Sequence, residues 1–255
     1  MKHLLTPLIG IALAAVAPAQ TAEELVAKNT QARGGIEKIK AIKTLRMTGS
    51  VQQGSIHVQL VQDKMAPDKL RQSVTLMGMS QIQAWDGSSG WQISPFEGRK
   101  DPELMGEQAA RGLSEEADFY GPLVDYQAKG NKIEYLGHDE VDGDDVYRLK
   151  VTLKNGDIYY YFLDPETFLE IRVEREEFVQ GAVRESFTEM GSYKLVDGMY
   201  FPFSIEAGNK RNPGQTAKIT IDKIEANIPI DAAEFQMPET PKTPKPATGP
   251  KGGAL

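Results

Sequence analysis

The sequence predicts a mainly β fold of the α+β type: a curved antiparallel sheet whose concave face is covered by helices. Three observations lead there. From Leu45 onward, apolar and polar residues alternate in short runs such as "TLRMTGSV", "SIHVQLVQ" and "SQIQAWDG", separated by Gly, Pro, Asp and Asn, as consecutive antiparallel hairpins require. About ten to twelve strands fit, and an antiparallel sheet that wide curls or splits into two layers. Two helical segments, each apolar along one side, supply a cover for the hollow face. Finally, Ile158, Tyr159, Tyr160, Tyr161, Phe162 and Leu163 form one unbroken line. Side chains on a strand alternate between faces, so this line has something to bury on both.

The elements follow in order. Lys2, an apolar run over 4–16 and the small-x-small end Ala17-Pro18-Ala19 read as a secretory signal peptide over 1–19. Thr21 and Glu24 have capping-box spacing, Leu25, Val26, Asn29 and Ala32 recur with a helical period, and Gly34-Gly35 stop the helix. A second short helix carries Ile36, Ile39 and Ile42. Strands then run to Phe96. The stretch 101–129 is expected to be helical, with Asp101 as N-cap, Pro102 at the first position, and Leu104, Met105, Ala109 and Leu113 along one side. Strands resume from Asn131, with tight turns expected at Asp142-Gly143 and Asn155-Gly156. One domain is expected over 20–237. The remaining segment, 238–255, is rich in Pro, Lys and Gly and is expected to be disordered.

Composition narrows the function. The chain has 255 residues, a formal net charge of −7 and no run of Lys and Arg in the folded region, which argues against nucleic acid. It has no Cys, so neither disulfides nor lipidation of an N-terminal Cys are available. No later segment reaches the roughly 20 apolar residues of a membrane span. His57 alternates with Ile56 and Val58 on a strand, and His138 lies in the acidic "GHDEVDGDD", whose spacing differs from a calcium loop and suits a hairpin turn. "DGSSGW" has two residues between its glycines, so it is a turn and not a nucleophile elbow. No catalytic residue, metal site or cofactor is expected, and the chain is read as a non-enzyme and a monomer.

What stands out is an apolar surplus. Met77, Met79, Trp85, Trp91, Phe96, Leu104, Met105, Leu113, Phe119 and Tyr120 cluster around the sheet's first half and the helical insertion. They either fill the core or line a cavity for apolar ligands, a use to which adaptable Met side chains are suited. On the Tyr-rich strand, Phe162 has no hydroxyl to solvate, so Tyr160 and Phe162 are expected to face inward and Tyr159 and Tyr161 outward.

Several segments, taken in order, resemble one family. "AEELVAKNTQARGGIEKIKAIKTLRMTGS", "APDKLRQSVTL", "AWDGSSGWQISPFEGR", "YRLKVTLKNGDIYYYFLDPETFLEIRVE", "DGMYFPFSI" and "ITIDKIEANIPIDAAEFQMP" are similar to LolA/LolB-like outer-membrane lipoprotein-sorting proteins. The resemblance implies a curved, incomplete antiparallel β-barrel lidded by helices, with an apolar cavity that shields a lipid or lipoprotein acyl chain in the periplasm. Under it, the candidate lipid-binding residues are Met77, Met79, Trp85, Trp91, Leu104, Met105, Leu113, Phe119, Tyr160 and Phe162. Arg71, on a comparable strand, becomes the candidate that holds the lid. The "LKNGDIYYYFLDPETF" hairpin and the Lys-Pro tail depart from the carriers. The other reading is a sensor or scaffold of the cell envelope that binds another protein.

Overall fold

The computed structural model describes residues 20–179 and 181–239; the expected signal peptide and all but the first residues of the expected tail lie outside them. Helix α1 (Ala22–Ala32) opens on the capping box: the Thr21 hydroxyl accepts from the Glu24 amide while the Glu24 carboxylate accepts from the Thr21 amide. Helix α2 is Ile36–Ala41. The strands before the third helix are β1 (Thr44–Gln53), β2 (Ile56–Met65), β3 (Lys69–Leu76), β4 (Met79–Trp85), β5 (Gly90–Ser94) and β6 (Arg99–Leu104). Helix α3 (Glu107–Glu116) follows. Then come β7 (Lys132–Val141), β8 (Asp144–Thr152), β9 (Ile158–Leu163), β10 (Glu170–Val179) and β11 (Ala182–Gly191). A short hairpin, β12 (Lys194–Val196) and β13 (Met199–Phe201), precedes β14 (Ser204–Asn209) and β15 (Asn212–Ala226).

Thirteen strands form one antiparallel sheet in the order β6-β5-β4-β3-β2-β1-β15-β14-β11-β10-β9-β8-β7, and β12-β13 pair separately. The sheet is not closed: β6 and β7 are its two edges. Because they are consecutive in the chain, the segment joining them, α3 and residues 117–131, has to cross the opening. Turn chemistry sets the hairpins. Asp142 and Gly143 both take positive φ, 53° and 95°, as a two-residue turn between β7 and β8 requires.

The concave face carries the core. Leu25 and Val26 of α1 pack with Leu149, Val151, Tyr161 and Leu163 of β8 and β9. Ile39 of α2 and the neighbouring Ile42 pack with Leu45, Met199, Phe201, Ile221 and Ile224. Leu113 of α3 and Ala117 pack on Leu70 of β3, beside Trp85. Asn29 is a polar member of this layer: fully buried, its side-chain amide donates to the Phe168 carbonyl at 2.9 Å and so ties α1 to the β9–β10 turn.

Three expectations are corrected. The segment from Arg99 to Leu104 is a strand, and α3 begins only at Glu107 with Gly106 as its N-cap. Pro102 is tolerated because β6 is an edge strand, and its pairing with β5 shifts register between Gln92 and Ser94, opposite the stretch that contains the proline. The strand count exceeds the expected ten to twelve, since β6 and the β12–β13 hairpin were not foreseen. Finally, Tyr159 and Tyr161 face the concave side and Tyr160 and Phe162 the outer side. The register decides this: Tyr161 pairs with Leu149 and Val173, whereas Phe162 pairs with Arg148 and Arg172. Phe162 is nonetheless 4% exposed, because the Arg148 guanidinium lies 5.4 Å from its ring centre and 4.6 Å from that of Tyr160. A guanidinium stem and plane therefore cover the ring where a helix was expected to.

Candidate functional site

The helices do not fill the hollow completely. An inner cavity of about 300 Å³ remains between the sheet, the end of α1, residues 119–123 and the β12–β13 hairpin. Its apolar wall includes Leu45, Met47, Phe119, Val173, Met190 and Ile205. Arg33, Lys64, Tyr161, Glu170 and Tyr193 also line it. Arg33 reaches Glu170 at 3.9 Å, and the Tyr193 hydroxyl donates to the Glu170 carbonyl at 2.7 Å. Burial pushes the Tyr193 and Tyr161 hydroxyls well above the usual phenol range, so both stay neutral donors.

Beyond α3 lies a larger, open groove of about 660 Å³, lined by Met105, Leu113, Glu116, Arg175, Arg184 and by Gln72 and Gln83 of the sheet. A recess of about 210 Å³ continues its floor over Val51, Leu60, Val74 and Ile219. The last turn of α3 and the residues after it divide inner cavity from groove, and adjacent residues fix that turn to opposite halves of the sheet. The Glu115 carboxylate accepts from Asn155 at 2.6 Å, Tyr159 at 2.8 Å and Arg175 at 2.6 Å, all on the β9–β10 side. Glu116 is held on β2: its carboxylate accepts from Gln62 at 2.9 Å and its carbonyl from the Lys64 ammonium at 2.7 Å.

The electrostatics of this crossing are strained by burial. Desolvation raises the Glu115 pKa, against the pull of Arg175 and the hydrogen bonds from Tyr159 and Asn155. Burial would lower that of Arg175, but Tyr159, Glu115, Glu177 and Asp157 together raise it. Lys64 goes the other way. Desolvation lowers its pKa, Arg33 adds to the effect, and Glu116 and Asp118 only partly oppose it.

The sequence-derived candidates scatter. Phe119 lines the inner cavity, and Met105 and Leu113 line the groove. Trp85 packs beneath Leu113. Met77, 91% exposed, sits at the β3–β4 turn, with Met79 beside it on the rim, and Leu104 is 65% exposed on the edge strand. Trp91 is buried, but its indole donates to the Phe235 carbonyl at 2.7 Å, which places it under the C-terminal segment and away from the cavity. Tyr160 and Phe162 are on the outer face. Arg71 neighbours Leu70, which packs on α3, and therefore points to the other side of β3. The lid contacts belong instead to Lys64 and Arg175. Lys64 was findable, as the one Lys or Arg within β2; Arg175 was not, among the alternating charges of "EIRVEREE".

No protein-family model matches the chain, and no curated protein matches it. Solved structures do. A LolA superfamily protein from Nitrosomonas europaea aligns over 86% of this chain and 98% of its own, with a TM-score of 0.58 at 13% identity. A domain named for outer membrane lipoprotein sorting, from Vibrio parahaemolyticus, aligns over 82% and 97%, with a TM-score of 0.54 at 14% identity. A DUF1329 family protein from Desulfovibrio piger aligns over 84% and 97%, with a TM-score of 0.57 at 11% identity. The fold is thus similar to that of these proteins, and the open thirteen-stranded sheet of this chain, crossed on its hollow side by helices, is a LolA-like fold.

Proposed function

We propose that this protein is an exported carrier or binding protein that shelters a lipid or lipoprotein acyl chain inside its concave face, with no catalysis and no cofactor. The observation that carries this reading is the inner cavity of about 300 Å³ with a mainly apolar wall, left open in a hollow that tight packing would otherwise close. Its volume is at the lower end of small-molecule pockets, about 300–1,000 Å³. Burying an acyl chain gains about 0.8 kcal/mol per methylene, so a single chain is held without any polar recognition motif. Residues 1–19 direct the chain to export in this reading, and the periplasm is its compartment. Among the described residues no helix is long and apolar enough to cross a membrane.

The test is mass spectrometry of organic extracts from protein purified out of an envelope fraction, with titration of a fluorescent fatty acid. Stoichiometric lipid and saturable probe binding are expected. An empty protein that also fails to bind the probe refutes the carrier reading and favours a scaffold that binds another protein.

A further inference from the structure

The inner cavity is apolar in its walls but not in its charge. Two cationic side chains, Arg33 and Lys64, line it against one carboxylate, Glu170. Of the nearby acids outside the lining, Asp118 is paired with Lys129 at 2.6 Å, and the Glu116 carboxylate turns to Gln62 on the groove side. Among the side chains that line the cavity, positive charge therefore exceeds negative by one. Lys64 donates to a single acceptor, the Glu116 carbonyl, although an ammonium has three protons to place. Tyr161, 7% exposed and lining the same cavity, has no hydrogen-bond partner for its hydroxyl among the described residues. Both groups border the cavity with hydrogen-bonding capacity to spare, which a polar head entering it takes up.

We infer that the cavity takes a single-chain amphiphile with an anionic head, its tail against Met47, Phe119, Val173 and Ile205 and its head accepting from Lys64, Tyr161 and Arg33. This rests on the carrier reading and goes one step further, since an acyl chain esterified to a protein brings no negative charge of its own. An anion here satisfies the spare Lys64 protons, supplies an acceptor to Tyr161 and neutralises the excess charge. Desolvation, which disfavours the Lys64 ammonium in the empty protein, is offset once that anion is beside it. The size of the cavity sets the length, and a chain of about twelve carbons suits a pocket of this class.

The experiment compares dodecanoate, dodecyl phosphate and dodecanol as competitors of a bound fluorescent probe, using the full mature chain at neutral pH. At least one anion is expected to bind ten-fold or more tightly than the alcohol; dodecanoate in that position assigns a fatty acid, dodecyl phosphate a lysophospholipid. Lys64→Met is expected to bring anion and alcohol together. Because Lys64 also holds α3, Tyr161→Phe is the second variant, expected to lower the ratio several-fold with an unchanged melting curve. Equal binding of all three compounds to the wild type overturns the head-group assignment and leaves the carrier reading standing. No binding of any of them overturns both.

Discussion

Gly34 shows how much one missing side chain matters. Its φ is +129°, and a Cβ built there would lie 2.2 Å from the Gly198 carbonyl oxygen, where the α1–α2 link meets the β12–β13 hairpin through the Tyr200 amide. Backbone has to move to admit a methyl group. Gly34→Ala is expected to cost about 3 kcal/mol or more, placing it among the severe point changes. Gly78 has φ +78° and nothing near its absent Cβ. Gly78→Ala therefore meets only the left-handed penalty of about 1–2 kcal/mol. Thermal or urea unfolding of the two variants checks the contrast, and equal losses would mean that the α1–α2 link is not locked to the hairpin. The same scale explains the error on β9. A hydroxyl count pointed Phe162 inward, but the ring's surroundings were set by the Arg residues paired with it on β8 and β10, and a strand cannot be oriented without knowing its neighbours.

Among the elements, α3 is fastened to the sheet largely through polar side chains. Its apolar side offers Leu113, followed by Ala117, and the remainder of its attachment is polar. Removing Arg175 would leave Glu115, Asp157 and Glu177 facing one another without their shared cation. Arg175→Met is expected to cost about 3 kcal/mol, as breaking a buried pair does, and to expose α3 to proteolysis before the rest of the chain unfolds. Limited digestion with mass mapping reads this out; cleavage confined to other loops would show that the crossing is held by packing alone.

Turns make a different prediction. Burial would raise the Asp86 pKa, but hydrogen bonds from Ser89 and Ser88 hold it below the usual carboxylate range; at Asp164 burial is likewise overcome by Thr167 and Glu166. A carboxylate depressed in the folded state contributes stability above its unfolded value, lost as pH falls through the folded one. Replacing both by Asn should flatten the acid limb of the stability profile below about pH 4 and leave its slope at neutral pH unchanged. The Asp86 turn, the capping box and Asp142-Gly143 were legible because their chemistry is local. β6 was not, because Asp-Pro followed by apolar residues at helical spacing is a strong helix-start signal that only pairing with β5 overrides.

At the scale of the molecule, the open sheet needs support on both faces. Outside, the turn Ala232–Phe235 buries Phe235 completely and caps Trp91. Ending the chain at Asp231 should lower the melting temperature by several degrees and bring tryptophan emission to longer wavelength, whereas ending it at Pro238 should change neither. An unchanged emission from the shorter chain would refute this role for the C-terminal turn. The broad architecture was readable from the spacing of hairpins, since a wide antiparallel sheet has few shapes available; which residues faced the hollow was not, because that is fixed by register across strands far apart in sequence.

Glu115 and Glu116 are neighbours in the chain, yet one is fastened to β9 and β10 and the other to β2, with β1, β15, β14 and β11 lying between those strands in the sheet. A single peptide unit thus works as a tie-rod across an arch. The span of the arch is set by its length, so a guest too thick for the passage beneath has to release a fastening at either end, and the weaker end decides which way the arch opens.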